Sequence, residues 1–246
     1  MKTFIKITGI TILSLMLLFN GVAFGQKKNA PVSVLLITGG HDYDKSFDAF
    51  VESLPGTVVT HVKHPNALSM FRPENRTLYD VVLLYDMPAT ISDQEKKDFT
   101  DCLNAGKGLV VWHHAYGSYR DWPEYQNIIG GRYQFQPWTD SKGVSHPAST
   151  YQHDVRFGVK VADKKHPVTK GIRDFDIIDE TYGSCSVHPG VHVLLTTDES
   201  TSTPSVAWTT RYGKSKVVTI LLGHDQQAWN NPNFTKLLTQ AIQWAK

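Results

Sequence analysis

The chain has 246 residues with 25 basic and 23 acidic side chains, a formal net charge of +2. Residues 26–246 carry 23 of each sign, because the first 25 residues hold two lysines and no acid. A nearly neutral chain without basic clusters argues against nucleic acid or an anionic membrane as the main partner.

The N-terminus has the three-part pattern of a secretory signal peptide. Lys2 and Lys6 flank the start of an apolar stretch, and Ala23 and Gly25 place small residues where a signal peptidase reads them. We expect cleavage after Gly25, export to the periplasm or medium, and no stable membrane insertion afterwards. An uncleaved anchor is the less favoured alternative, because polar and small residues interrupt the apolar stretch. Residues 26–246 then form a single domain.

The first half of the chain alternates strand and helix patterns. Apolar runs and one alternating segment predict strands at 32–38, 57–62, 79–85 and 110–112. Helices are predicted at 44–54 and after Ser92, where Glu95 completes a capping box and Gly106 ends the helix. The repeated strand–helix–strand order predicts an α/β fold with a parallel sheet and helices on both faces.

The second half has shorter strand patterns. Strands are predicted at 151–161, 176–181 and 191–196, and the segments 206–210 and 216–222 flank a turn and predict a β-hairpin extension. Asn231 and Pro232 start a closing helix. The two cysteines, Cys102 and Cys185, lie in no metal or redox spacing, and we interpret them as unpaired thiols.

Three predicted strands end in histidine, where doubly wound sheets bind their ligands. The first strand leads to His41, the fourth to His113 and His114, and the last hairpin strand to His224. Adjacent strand residues face opposite sides, so we expect His113 at the exposed sheet edge and His114 behind it.

Catalytic and binding roles follow from this placement. Imidazole titrates near neutrality, so His113 or His224 is the predicted general base, with Glu180 or Asp225 orienting it or acting as the acid. Asp179 precedes Glu180, and we expect one of the two carboxylates to reach the cleft. The predicted substrate-binding residues are side chains at strand ends and in aromatic-rich loops: His41, Tyr43, Asp86, His114, Tyr116, Arg132, Tyr182 and Trp229.

A divalent metal is an open alternative, with His41, His113, His224 and Glu180 as its ligands. No nucleotide cofactor is expected, because the glycine pair at 39–40 lacks the dinucleotide-binding spacing. His61, His64, His146, His153 and His192 carry no informative spacing.

Six short motifs occur in one order along the chain: TGGHDYD, HHAYG with the later GGRY, HPVTKGI, DETY, RYGKSKV, and LGHDQQAW with NNPNF. In this order they resemble the ThuA-like, trehalose-utilisation family over essentially the whole of residues 26–246. Ser215 departs from the family's pattern, which often has glycine in that hairpin turn.

The resemblance implies a flavodoxin-like fold similar to that of class I glutamine amidotransferases. It places His113 at the elbow where those enzymes have a cysteine, so glutamine hydrolysis through a thioester is not expected. It also implies carbohydrate catabolism, with a small-molecule sugar, trehalose or a related glycoside or 3-keto-glycoside, as the substrate of a hydrolase or isomerase. The alternative is a non-catalytic carbohydrate-binding protein that uses the same pocket.

Overall fold

The computed structural model describes residues 30–246, so the predicted signal peptide at 1–25 lies outside the described residues. Within residues 30–246, no helix is both long and apolar enough to cross a membrane. Five α-helices are present among them, and their bounds are α1 Phe47–Glu52, α2 Asp93–Asn104, α3 Pro123–Ile129, α4 Gln226–Trp229 and α5 Pro232–Ala245.

Nine strands form one mixed sheet. In chain order they are β1 Val32–Gly39, β2 Thr57–Lys63, β3 Val81–Asp86, β4 Gly108–Trp112, β8 Thr150–Val161, β9 Phe175–Gly183, β11 His192–Thr196, β12 Ser205–Tyr212 and β13 Ser215–Ile220. Four two-residue strands form two small ribbons beside it, β5 Gly131–Arg132 with β10 Ser186–Val187, and β6 Trp138–Thr139 with β7 Ser145–His146.

The sheet has a parallel and an antiparallel half. Its strand order is β2-β1-β3-β4-β13-β12-β11-β8-β9. The first five strands are parallel to their neighbours, and all pairings from β13 to β9 are antiparallel. The predicted hairpin, β12 and β13, therefore lies inside the sheet, where β13 extends the parallel half beside β4.

Strand alternation directs side chains into two cores, one on each face. Along β1, Val34 and Leu36 pack with α1 and α5, while Leu35 and Ile37 pack with α2 and α3. Helices therefore cover both faces of the parallel half, and the α/β fold prediction is confirmed. The first helix is shorter than predicted, because Asp44 accepts hydrogen bonds from Ser46 in a turn ahead of it.

Candidate active site

The chain turns sharply where β4 ends. Trp112 is its last residue, and residues 113–117 form a single 3-10 turn. His113 has a φ of 53°, in the left-handed region that non-glycine residues rarely adopt. In this strained conformation the His113 side chain is completely buried.

His113 is the centre of a cluster of polar atoms. Its Nδ1 lies 2.7 Å from the Leu221 carbonyl oxygen. Its Nε2 lies 2.8 Å from Glu180 Oε2, 3.1 Å from His224 Nδ1 and 2.9 Å from the Tyr182 hydroxyl. The structure thus brings three of the four predicted catalytic residues together.

The cluster shifts the protonation of its members. Burial opposes protonation of His113, yet the hydrogen bond with Glu180 and the nearby carboxylates raise its pKa above the usual value. Burial also opposes ionisation of Glu180, but its contacts with His113 and His224 lower its pKa to about 2. Burial and the neighbouring His113 lower the pKa of His224 to about 4. The contact between the two side chains thus favours a proton on His113 and a negative charge on Glu180.

Asp179 fixes the loop that carries His224. Its carboxylate accepts hydrogen bonds from the backbone N–H groups of Gly223, at 2.6 Å, and His224, at 2.9 Å. Gly223 has a φ of 104°, and a Cβ atom there would lie 2.2 Å from the Trp112 indole nitrogen. Burial raises the pKa of Asp179 to about 6. Of the two adjacent carboxylates, Asp179 thus positions the loop while Glu180 reaches the cavity.

The sequence reasoning missed His153. A bulge interrupts the β8–β9 pairing between Gln152 and Val155, and bulges re-aim side chains next to active sites. The Nδ1 atom of His153 lies 3.4 Å from Glu180 Oε1, the carboxylate oxygen that faces away from His113. Residue spacing gives no signal for this contact, because the bulge breaks the strand alternation.

A cavity of about 380 Å³ adjoins the cluster. The residues that line it are His41, Met87, His114, Gly117, Tyr133, Phe135, Ser149, Tyr151, His153, Glu180 and Tyr182. His114 stacks on His41 with ring centroids 4.3 Å apart, and its two buried ring nitrogens have no hydrogen-bond partner. Burial and the neighbouring His113 and His41 lower the pKa of His114 well below its usual value.

The expected arrangement of the two adjacent histidines was wrong. We predicted His113 at the exposed edge and His114 behind it, but His114 lines the cavity and His113 lies beneath Glu180 and Tyr182. The prediction assumed strand alternation at both positions, whereas the strand ends before them.

Several predicted site residues lie away from the cavity lining. Tyr116 and Trp229 are buried, and their polar atoms bind the backbone carbonyls of Ser186 and Gly223. Arg132 donates to the Arg120 carbonyl, and Asp225 caps α4. Tyr43 packs on Phe47 beside a separate open depression. Asp86 is buried between His64 and Tyr119.

Of the four predicted metal ligands, three lie together and one lies apart. His113, Glu180 and His224 each offer a ligand atom, and these atoms all lie within 4.8 Å of one another. His41 does not belong to this group; it stacks on His114, and its ring centroid is 6.4 Å from that of His224.

A family model and several solved structures resemble this chain. The family model described as "ThuA: Trehalose utilisation" matches residues 33–245. A ThuA-like protein from Parabacteroides merdae has a similar fold, with a TM-score of 0.73, 22% identity, and coverage of 87% of this chain and 90% of that one. A ThuA-like protein from Bacteroides uniformis gives a TM-score of 0.67, 18% identity, and coverage of 88% and 92%. No curated protein sequence matches the chain.

Proposed function

The chain belongs to the ThuA family of trehalose utilisation, and on this premise we propose an enzyme of carbohydrate catabolism. Its proposed substrate is a trehalose-like glycoside or 3-keto-glycoside, which it hydrolyses or isomerises. The main support for this proposal is the cavity beside the cluster, which is lined by Glu180, His153 and several aromatic rings. A few polar groups on an apolar, aromatic lining are typical of small-molecule sites.

The side chains around the cavity are suited to a sugar. Tyr151 is 62% exposed and lies at the cavity with its ring available to stack on a pyranose face. His114 lines the cavity, but its two ring nitrogens are buried. We infer that the exposed part of its ring contacts the sugar through carbon atoms.

A histidine general base starts the proposed reaction. We assign this role to His153 rather than to His113 or His224, because His153 lines the cavity and Glu180 orients it. The 3-keto group acidifies the proton on C2, and His153 takes it. The C2–H electron pair forms a C1=C2 bond as the C1–O bond breaks, and the departing oxygen takes the proton from His153. Water then adds to C1, His153 takes a proton from that water and gives it to C2, and this completes hydrolysis. If the C1–O bond stays intact, return of the proton to the opposite face of C2 gives an isomer.

Incubation of the purified protein with trehalose, 3-keto-trehalose and a methyl 3-keto-glucoside tests the proposal. We expect released sugar or an isomer from a keto substrate. His153→Gln should lower the turnover number about 10²–10⁴-fold, while His114→Phe should mainly raise KM. His192→Ala, which changes a surface histidine, is the matched control.

One result would contradict the enzyme proposal, and another would contradict only the choice of base. Saturable binding of these sugars with no product would instead support a non-catalytic carbohydrate-binding protein. Turnover that is unchanged in His153→Gln would remove the assigned base.

We also propose that the protein is exported, on the N-terminal pattern of basic, apolar and small residues. Expression of the full chain, followed by N-terminal sequencing of the protein from the periplasm or medium, should give Gln26 as the first residue. Protein found only inside the cell with an intact N-terminus would overturn this proposal.

A further inference from the structure

We propose that His113 Nε2, His224 Nδ1 and Glu180 Oε2 bind a divalent metal ion of the zinc type. The three atoms are 2.8, 3.1 and 3.4 Å apart. A four-coordinate zinc ion with ligands at about 2.0–2.2 Å separates its ligand atoms by about 3.3 Å. The triangle in this structure therefore already has nearly the size that one ion requires.

The three atoms can all present lone pairs to one cation. The Leu221 carbonyl can only accept a hydrogen bond, so His113 Nδ1 carries a proton, and the neutral ring then has a lone pair at Nε2. The Glu180 carboxylate has lone pairs at Oε2, and His224 has one at Nδ1 when its own proton is on Nε2. One metal ion can therefore bind all three atoms, and the Tyr182 hydroxyl, 2.9 Å from His113 Nε2, lies beside them.

The surroundings of the triangle have the form of a metal site's outer shell. Metal-binding histidines commonly donate their other N–H group to a backbone carbonyl, as His113 does to Leu221. His224 is held from its backbone, because Asp179 accepts its N–H group and that of Gly223. Both histidine ligands are thus oriented before an ion arrives.

Three protein ligands leave a fourth position free, as in catalytic zinc sites. The ion would lie beside the cavity, because Glu180 and Tyr182, whose hydroxyl is 2.9 Å from His113 Nε2, both line it. An ion there would polarise a bound carbonyl or hydroxyl oxygen. This part of the inference rests on the proposed function, whereas metal binding itself does not.

Titration of metal-depleted protein with Zn²⁺ in a calorimeter, without sugar, tests the site. We expect one equivalent to bind, and Co²⁺ to give the intense visible absorption of four-coordinate nitrogen–oxygen ligation. Glu180→Gln keeps the side-chain volume, and His113→Ala removes a nitrogen ligand. Both should weaken Zn²⁺ binding at least ~100-fold. His192→Ala, a surface histidine beside Asp163, should bind as the wild type does.

The outcomes separate this inference from the proposed function. No saturable Zn²⁺ binding by the wild type would overturn the metal site. Equal Zn²⁺ affinity in the wild type and in Glu180→Gln would also overturn it. Neither result depends on whether His113→Ala folds. A protein that binds one Zn²⁺ but converts none of the sugars would contradict only the proposed function. Full turnover by chelator-treated protein would contradict a catalytic role for the ion. The existence of the metal site would then be judged from the measured Zn²⁺ affinity.

Discussion

Two clusters of a buried carboxylate and a histidine lie in this fold, and they differ in what surrounds them. Glu180 contacts His113 and His224 on one side and borders the cavity on the other. Asp86, at the end of β3, accepts from the Tyr119 hydroxyl at 2.9 Å and lies 2.7 Å from His64 Nε2. Asp86 has no exposed surface and does not line the cavity.

The comparison shows that a buried histidine–carboxylate contact does not by itself indicate a reactive site. Both carboxylates accept charge-assisted hydrogen bonds. Around Asp86, however, the Tyr119 ring and the Ser118–Asp86 backbone contact close the space. Around Glu180, the second carboxylate oxygen is directed to His153 and the cavity. We therefore expect Glu180 to affect activity and Asp86 to affect stability.

The largest expected effect is on turnover. Glu180→Gln removes the negative charge that orients His153 and attracts His113 and His224. The turnover number for a keto-glycoside should therefore fall at least ~100-fold. Initial rates per folded molecule measure this effect. Asp86→Asn is the control and should retain the wild-type rate. Equal losses in both variants would show that the two clusters do not differ in function.

The second prediction concerns the free energy of unfolding. Asp86→Asn replaces a charged acceptor and places amide N–H groups in a closed, buried space. We expect a loss of about 1.5–3 kcal/mol, the usual contribution of a hydrogen bond to a charged group. Urea unfolding measures it. Glu180→Gln should lose less, because its amide oxygen can still accept from His113 while its amide N–H groups face the cavity, where water can bind them; a larger loss in Glu180→Gln would contradict this account.

Sequence patterns predicted the fold well because they depend on short-range rules. Apolar runs identified β1, β3 and β4, and Ser92 with Glu95 marked the start of α2, where the capping box is present. The position of β13 between β4 and β12 was not predicted, because a hairpin pattern does not reveal which edge of the sheet it joins.

The site was predictable only in part. Placement at strand ends brought together His113 and His224, since they follow β4 and β13, which are parallel neighbours. Glu180 lies inside the antiparallel strand β9, and it was included only because one of the two adjacent carboxylates was expected to reach the cleft. The roles of His113 and His114 depended on one positive φ angle, and the contribution of His153 depended on a bulge. Sequence context does not separate the residues that line the cavity from Asp86, Tyr116 and Trp229, because all of them were predicted at strand ends or in loops. Only packing in the folded structure distinguishes the two groups.

The smallest expected effect comes from a histidine–carboxylate pair at the surface. His192 Nε2 lies 2.9 Å from Asp163 Oδ2, a distance close to that between His64 and Asp86. The His192 side chain is 56% exposed, however, and exposed ion pairs contribute little because water and salt screen them. We expect His192→Ala to leave the urea midpoint of unfolding unchanged within the error of the measurement. A loss as large as that of Asp86→Asn would mean that distance, rather than burial, determines what such a pair contributes in this fold.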